Sequence, residues 1–240
     1  MRPRALLLSC LVTLAFGVEE LRGDGVWGKP PFHEDLRYEW KLKGFAGALI
    51  GIFYPSSGEA SLSSRADGNT EAVTTVLEVT SPKRGPEEYY RYGAETDLAS
   101  RPSRVWSSYN FKGRSKDRGA DVDASDVREF ASGIQFLRME HPAAPVEMRL
   151  WSADRQYPVR ALPMGTEWVD VAGERFEADR FAIEGMKKKG ERRFKARFEV
   201  WLLDDEASTP VRIVADRGPL RIQLDLASSS ADAPARPDAP

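Results

Sequence analysis

Acidic side chains before the chain's one predicted helix are the first candidates for chemistry. Oxygen-bearing residues stand there at the alternating positions of a calcium loop, namely Asp121, Asp123, Ser125 and Asp126. Counting from Asp121, however, Asp126 occupies the glycine position of an EF-hand, and Ser132 occupies the position of its bidentate glutamate. Asp123 or Ser125 can instead cap a helix by accepting a backbone hydrogen bond. We therefore predict no metal site.

Other candidates for acid, base or nucleophilic chemistry are few. Asp204, Asp205 and Glu206 could form paired carboxylates, in which repulsion raises one pKa. They fall between predicted strands, where Asp is typical of hairpin loops because it bonds its own backbone. The histidines, His33 and His141, show no spacing typical of a triad or a two-histidine metal site. The sequence favours a non-enzymatic protein without a cofactor, and a hydrolase is an alternative.

The densest positive run is Met186–Arg193, with sequence MKKKGERR. It could contact anionic lipid headgroups or an acidic partner, and a solvated hairpin tip is the alternative interpretation. The whole chain has 35 basic and 37 acidic side chains and a net charge of -2. Because no global field would concentrate nucleic acid, we predict no nucleic-acid partner.

Aromatic side chains on predicted strands suggest a ligand site. A curved sheet with apolar groups on its concave side, under a helix, can hold an acyl chain or another apolar ligand. We predict four ligand-binding residues from the strands and from the apolar stripe of the helix, namely Trp106, Trp151, Trp168 and Ile134. The alternative is that these side chains complete a two-layer core.

The elements that must position these residues are clearest in the stretch Lys195–Leu226. Apolar and charged residues alternate there in three segments separated by short, turn-forming connectors. Period two gives each strand one apolar face and one charged face, so Phe198 is expected in the core and Arg197 in water. We predict an antiparallel meander.

The remaining pattern predicts further short strands and one helix. The helix is predicted from Asp123 or Ser125 to Leu137, lying like a lid on the sheet and ending before Pro142, because its apolar residues recur at spacings of three and four. Residues 112–121 are charged and predicted to be exposed. The strands are predicted at 36–42, 46–54, 70–80, 87–94, 105–111, 146–150, 157–161, 167–171 and 176–183. The predicted fold is all-β: a curved antiparallel sheet of about ten strands, as a half-barrel or two-layer sandwich, with one packed α-helix.

The first residues are typical of a secretory signal peptide. Met1–Arg4 supply positive charge, Ala5–Phe16 form an uncharged apolar run, and Gly17 offers a small residue for cleavage. The run is shorter than the ~20 residues of a membrane span, so we predict no spanning segment. Cys10, the single cysteine, lies inside this run, which disfavours lipidation. We predict a signal peptide over 1–17.

The mature chain is expected to form one domain. Residues 18–35 are rich in glycine and proline and predict an extended leader, and 36–226 form a single β-rich domain. Residues 227–240 lack apolar periodicity and predict a disordered tail.

Several of these residues carry a family resemblance. The run Val200–Asp205, followed by Pro210–Ile213 and then by Gly218, resembles the C-terminal signature of an exported bacterial family, domain of unknown function 3108. Leu36, Tyr38, Trp40, Gly44 and Gly47 are similar to its opening strand and turn, and Ser132–Arg138 resembles its short helix. The resemblance implies export and assigns no catalytic residue.

These expectations combine into one functional hypothesis. We expect an exported cell-envelope protein, periplasmic or secreted and non-enzymatic, that binds an apolar or envelope-derived ligand or another envelope protein. A ligand-free structural scaffold of the periplasm and a hydrolase are the alternatives. A continuous apolar cavity would favour the first hypothesis, and a carboxylate or histidine cluster in a cleft would favour the hydrolase.

Overall fold

A computed structural model describes residues 32–43, 56–66, 72–81 and 88–232, with side chains to residue 229. The predicted signal peptide, Cys10, the predicted strand over 46–54 and most of the leader lie outside the described residues.

The described chain forms 13 strands and one helix. The strands before the helix are β1 Phe32–Lys43, β2 Ser57–Ala66, β3 Ala72–Ser81, β4 Glu88–Asp97, β5 Pro102–Phe111, β6 Arg114–Asp121 and β7 Val127–Arg128. Helix α1 spans Phe130–Glu140. After it come β8 Val146–Ser152, β9 Arg155–Val171, β10 Glu174–Gly185, β11 Arg197–Leu203, β12 Pro210–Arg217 and β13 Leu220–Asp232.

All strands belong to a single curved sheet in the order β6-β5-β4-β3-β2-β1-β13-β12-β11-β10-β9-β8-β7. Neighbours in sequence are neighbours in the sheet, and the pairing of β1 with β13 joins the two halves of the chain. Every pair is antiparallel except β7 with β8. The predicted all-β fold, a curved antiparallel sheet with one packed helix, is confirmed.

The edges of this sheet are β6 and β7, which are joined by side chains rather than by a backbone ladder. A buried cluster unites β4 and β5 with β7 and β8 and consists of Ala94, Val105, Val122, Val127 and Trp151. Arg118 on β6 also forms an ion pair with Asp154, at 2.9 Å, in the turn after β8. The sheet therefore curves almost far enough to close and remains an open half-barrel.

The core lies on the concave face, as the period-two pattern predicts. On β1, Leu36, Tyr38 and Trp40 are buried, whereas Arg37 and Glu39 between them are exposed. Residues of the same parity on other strands complete the core, including Leu62, Val200, Leu202, Ile213 and Leu224. Removal of this apolar surface from water stabilises the curvature.

Helix α1 begins later than predicted, at Phe130. Glu129 is its N-cap: its carboxylate accepts a hydrogen bond from the Ser132 backbone N–H at 2.7 Å, and the Ser132 hydroxyl accepts one from the Glu129 backbone N–H at 2.9 Å. This capping box satisfies two N–H groups that a helix start leaves unpaired. Val127 and Arg128, predicted as helical, form β7 instead. The end of the helix before Pro142 agrees with the prediction.

Besides β7, two further strands, β2 and β6, were not predicted, because neither shows the usual apolar alternation. On β2 the inward positions are mostly small, so Ala60, Ser64 and Ala66 hid the pattern. Strand β6 lies in the segment predicted to be charged and exposed; its side chains remain largely in water, but its backbone pairs fully with β5. Backbone hydrogen bonding alone holds such an edge strand.

Element boundaries also differ from the predictions. The segments predicted at 157–161 and 167–171 form one strand, β9, which bulges at Met164 beside Gly165, a glycine with φ +89°. Strand β1 begins at Phe32 and β13 runs to Asp232, with His33 opposite Asp232. The sheet thus takes in the end of the predicted leader and the start of the predicted tail, since their backbones pair with each other.

Candidate ligand-binding hollow

Helix α1 lies inside the curve of the sheet. Most of its circumference is buried, at Ala131, Ser132, Gly133, Ile134, Gln135, Leu137 and Arg138. Its side chains contact both halves of the sheet: Gln135 bonds Ser64 on β2, and Phe130 packs on Phe198 of β11. The prediction of a helix lying like a lid is therefore wrong, since a lid would keep one face in water. The helix instead fills part of the interior of the curved sheet, and we call it the plug.

The C-terminal end of this plug is anchored by a buried arginine. The Arg138 side chain is 0% exposed, and its guanidinium donates to both carboxylate oxygens of Glu34, at 2.7 and 2.8 Å. It also donates to the Ala207 carbonyl, at 2.8 and 3.1 Å, and to the Gln135 amide oxygen at 3.2 Å. A planar guanidinium suits this paired geometry, which fixes the helix against β1 and the β11–β12 loop.

Hydrogen bonds extend from this arginine across the same end. The Gln135 amide donates to the Ser64 hydroxyl at 2.9 Å, and Ser64 lies 3.2 Å from the Thr75 hydroxyl on β3. We call Glu34, Ser64, Thr75, Gln135 and Arg138 the polar cluster. Each member of the polar cluster has a hydrogen-bond partner inside the protein, so this end of the interior is closed.

At the other end of the helix the sheet encloses an open space. This hollow has a volume of about 930 Å³ and opens partly to solvent. Its wall is mainly aliphatic and aromatic, from β3, β4, α1, β9–β13 and the loop before β11, and includes Leu77, Val79, Tyr92, Phe130, Ile134, Tyr157, Ile183, Phe194, Phe198, Val200, Ile213, Ala215, Leu220, Ile222 and Leu224. The volume falls in the range of sites that bury small organic ligands, about 300 to 1,000 Å³.

Aromatic rings form the wall where the helix meets the hollow. Phe130, the first helical residue, packs edge-on against Tyr92 with ring centroids 4.7 Å apart, and lies 4.3 Å from Phe198. Phe194, on the loop before β11, extends the group, with Tyr157 at 5.5 Å. The rings contact one another and also line the hollow.

Among the residues that the structure describes, the charged groups at this end lie at the rim and at the helix start. Within the described ranges, the mouth carries Arg192, Arg193, Lys195 and Arg217 beside one carboxylate, Asp216. The Arg193 side chain donates to the Gly185 carbonyl at 3.0 Å, which ties the loop to β10.

Two buried groups near the rings have raised pKa values. Burial raises the pKa of the Glu129 carboxyl to about 7, against the hydrogen bonds from the Ser132 backbone and hydroxyl, which favour the charged form. Burial also raises the pKa of the Tyr92 hydroxyl to about 12, with smaller contributions from Tyr90 and Glu129. Near neutral pH the helix start therefore sits between a charged and an uncharged state.

Of the predicted site residues, the structure places only Ile134 in the wall. Trp106 and Trp151 follow Val105 and Leu150, which are 0% exposed, so period two turns both indoles to the opposite face. Trp106 covers Gly93 on β4, where an added Cβ would lie 2.3 Å from the ring, and Trp151 fills the cluster between the sheet edges.

Trp168 lies elsewhere again, on the hairpin of β9 and β10. Trp168 is 57% exposed, with the Arg175 guanidinium 5.2 Å from the centre of its ring. The hollow is lined instead by tyrosine and phenylalanine. Phe198 and Phe130 were visible in the sequence as strand and helix core positions, but only the fold shows that they border space.

The groups that could support hydrolysis are arranged differently from a triad. The His141 ring nitrogen Nε2 lies 2.9 Å from Asp179, whose other oxygen accepts a hydrogen bond from Thr166. These bonds hold the pKa of the Asp179 carboxyl below its usual value. The Thr166 hydroxyl thus contacts the Asp179 carboxylate, whereas the nucleophilic hydroxyl of a triad must contact the histidine.

The acidic run after β11 has a structural role. As predicted for a hairpin loop, the Asp205 carboxylate accepts a hydrogen bond from the Thr209 backbone at 2.8 Å. Within the described ranges, no cluster of three or more His, Cys, Asp or Glu side chains is placed to hold a metal ion. In the same part of the chain, no helix has the length and apolar character needed to cross a bilayer.

Comparison with known proteins gives a likeness of fold. The chain matches no known family model and no curated protein. It is similar to a solved beta-barrel-like protein of domain of unknown function DUF1849 from Brucella abortus, with 12% identity, a TM-score of 0.52, and coverage of 85% of this chain and 98% of that one. The lipoprotein LppX of Mycobacterium tuberculosis also matches, with 16% identity, a TM-score of 0.28, and coverage of 80% and 84%. The resemblance to family 3108 stays a prediction.

Proposed function

We propose that the protein is a non-enzymatic binding protein of the cell envelope that holds an apolar ligand in the hollow. The supporting observation is the space itself, about 930 Å³ with a mainly apolar wall, beside a helix whose other end is closed by the polar cluster. A scaffold without a ligand gains nothing from such a space, because unfilled volume beside apolar side chains lowers stability.

The expected affinity is within a useful range. Burial of a chain of about sixteen methylene groups contributes roughly 13 kcal/mol at ~0.8 kcal/mol each. Association costs at least about 4 kcal/mol. The difference is at most about 9 kcal/mol, which corresponds to a dissociation constant of roughly 0.3 μM at the tightest. No ion pair is needed for this term, so neutral apolar compounds should bind.

The test uses the neutral fluorophore N-phenyl-1-naphthylamine, whose emission increases in apolar surroundings. We expect saturable binding at one site per chain. Ala215→Trp, which places an indole in the hollow, should weaken it at least tenfold, because Ala215 lines the wall. Ala72→Trp is the matched control, since Ala72 is an exposed residue of β3 outside the wall.

Two results would contradict the proposal. Absence of saturable binding to the wild-type protein would favour the ligand-free scaffold, in which side-chain motion fills the space. Equal binding by the Ala215→Trp and Ala72→Trp variants would place the fluorophore on another surface.

Export is the second part of the proposal and is supported by the predicted signal peptide. Intact mass of the protein recovered from the producing cell should correspond to a chain that begins at Val18. A mass that retains Cys10 with an added diacylglycerol would instead mean a membrane-anchored lipoprotein.

A further inference from the structure

The mouth of the hollow carries more positive than negative charge. Among the described residues, four cationic side chains belong to its wall, Arg192, Arg193, Lys195 and Arg217, against one carboxylate, that of Asp216. The chain as a whole has a net charge of -2, so this excess is local. Arg217 and Asp216 lie at the end of β12, and the others lie on the loop that precedes β11.

Three of these cations form no ion pair with the residues that the structure describes. Arg192, Lys195 and Arg217 are exposed and lack a carboxylate partner in that part of the chain. Two basic residues nearby but outside the wall are paired: Lys188 with Glu147 at 2.8 Å, and Arg149 with Glu191 at 3.6 Å. The positive charge of Arg192, Lys195 and Arg217 at the mouth is therefore not neutralised by a carboxylate in the described part of the chain.

The loop that carries these charges is held in place by its own packing. Phe194 inserts its ring among the hollow's aromatic side chains, with Phe198 at 6.0 Å, so the residues on either side of it stay at the rim. At Gly185 an added Cβ would lie 2.1 Å from the Phe194 carbonyl oxygen, so β10 approaches the loop as closely as glycine permits. The position of the cations relative to the apolar wall is therefore fixed.

From this arrangement we infer that the natural ligand is an amphiphile with an anionic head group, a carboxylate or a phosphate, held at the rim while its apolar chain fills the hollow. This inference rests on the proposed function. Exposed charges contribute modestly one by one, so three of them together favour an anionic over a neutral head group by about tenfold.

The experiment is displacement of N-phenyl-1-naphthylamine by four compounds that share a dodecyl or dodecanoyl chain and differ in head group, each below its micelle concentration at pH 8. They are dodecanoate, dodecyl phosphate, neutral dodecyldimethylamine oxide and cationic dodecyltrimethylammonium. We expect both anions to displace at about tenfold lower concentration than the neutral compound, and the cation to be weakest. The ratio between dodecanoate and dodecyl phosphate distinguishes the two anions.

A matched pair of triple variants locates the effect. Arg192→Gln, Lys195→Gln and Arg217→Gln together should remove the preference for anions and leave displacement by the amine oxide unchanged. Lys187→Gln, Lys189→Gln and Arg114→Gln change the net charge equally at exposed residues outside the wall and should keep the preference.

The outcomes separate this inference from the function beneath it. If anionic and neutral compounds displace equally, or if both triple variants lose the preference equally, the head-group inference is overturned while the apolar site stands. If none of the four displaces a fluorophore that does bind, the dodecyl chain does not enter and the inference is overturned. If the fluorophore itself fails to bind, the proposed function and the inference fail together.

Discussion

The two ends of helix α1 have opposite surroundings, polar at one end and apolar at the other. At its C-terminal end Arg138, with no exposed surface, joins Glu34, Gln135 and the Ala207 carbonyl in a closed polar cluster. At its N-terminal end Phe130 borders about 930 Å³ of space within a mainly apolar wall. One end gives the helix a unique position inside the sheet, and the other leaves room beside it. The C-terminal end therefore positions the helix, and the N-terminal end provides the space for a ligand.

Burial of charge makes the closed end sensitive to substitution. A buried ion pair adds little net stability over a well-packed apolar replacement, because both ions lose their water. Loss of a single partner is different, since it leaves a charge without compensation in a poorly polarisable interior. The polar cluster should therefore tolerate single substitutions far less well than the hollow does.

The largest effect is expected for Arg138→Met, which keeps side-chain length and leaves Glu34 unpaired. We expect a loss of about 3 to 5 kcal/mol in the free energy of unfolding, measured by urea titration. Arg37→Met is the control on β1, since the Arg37 side chain is 69% exposed and its pair with Asp35 should contribute less than about 1 kcal/mol. Similar losses for the two variants would mean that the buried pair does not anchor the helix.

The next effect concerns the carboxyl at the opposite end of the helix and depends on pH. Burial raises the pKa of Glu129 from 4.5 to about 7, so the folded state keeps a proton that the unfolded state releases. Stability should be greatest below about pH 4.5 for this group and should fall as pH rises toward 7, by about 3 kcal/mol in total.

Glu129→Gln isolates this contribution, because an amide oxygen can still accept the Ser132 hydrogen bond and cannot ionise. The difference in unfolding free energy between wild type and variant, followed from pH 4 to 8, should shift in favour of the variant as pH rises. A difference that stays constant over this range would show that Glu129 has an ordinary pKa and is not buried as described.

Much of the molecule could be predicted from the sequence, and the failures share a cause. Strands with a strict apolar period, such as β1, were predicted because one residue in two must leave water. Strand β6 was missed because only its backbone is paired, and the start of α1 was misplaced because Glu129 and Ser132 cap it reciprocally, with the glutamate in the unusual first position. The sequence thus predicts the elements whose apolar side chains must be buried, and misses those that are held by backbone pairing or by capping.

The candidate site was harder to predict because it is a property of curvature. Periodicity shows which face of a strand is apolar, but not whether the opposite wall is near enough to fill the space between. Phe198 was therefore expected in the core without any indication that it borders a hollow. Ile134 and the tryptophans were predicted to bind a ligand because they lie on the apolar stripe of the helix and on predicted strands, and of these only Ile134 lies in the wall.

A smaller effect on stability is expected where the core borders space. Phe198→Ala should lower the free energy of unfolding by about 2 kcal/mol, since the ring is partly buried and its removal enlarges an existing opening. Leu202→Ala on the same strand removes a side chain that is 0% exposed and should cost about 4 kcal/mol by leaving an enclosed cavity. Equal costs would mean that the hollow is closed around Phe198 in solution.

The smallest effect is expected at Trp168, which separates the observed hollow from a tryptophan-lined one. The residue is 57% exposed on the β9–β10 hairpin, and its indole contacts the Arg175 guanidinium in water, where such a contact contributes about 0.5 to 1 kcal/mol. Trp168→Ala should therefore change stability by less than about 1 kcal/mol and leave N-phenyl-1-naphthylamine affinity unaltered. Ile134→Asp, by contrast, places a charge in the wall and should weaken that affinity at least tenfold. Weaker fluorophore binding by Trp168→Ala would mean that the fluorophore binds at the β9–β10 hairpin, because a surface substitution has little effect away from its own contacts.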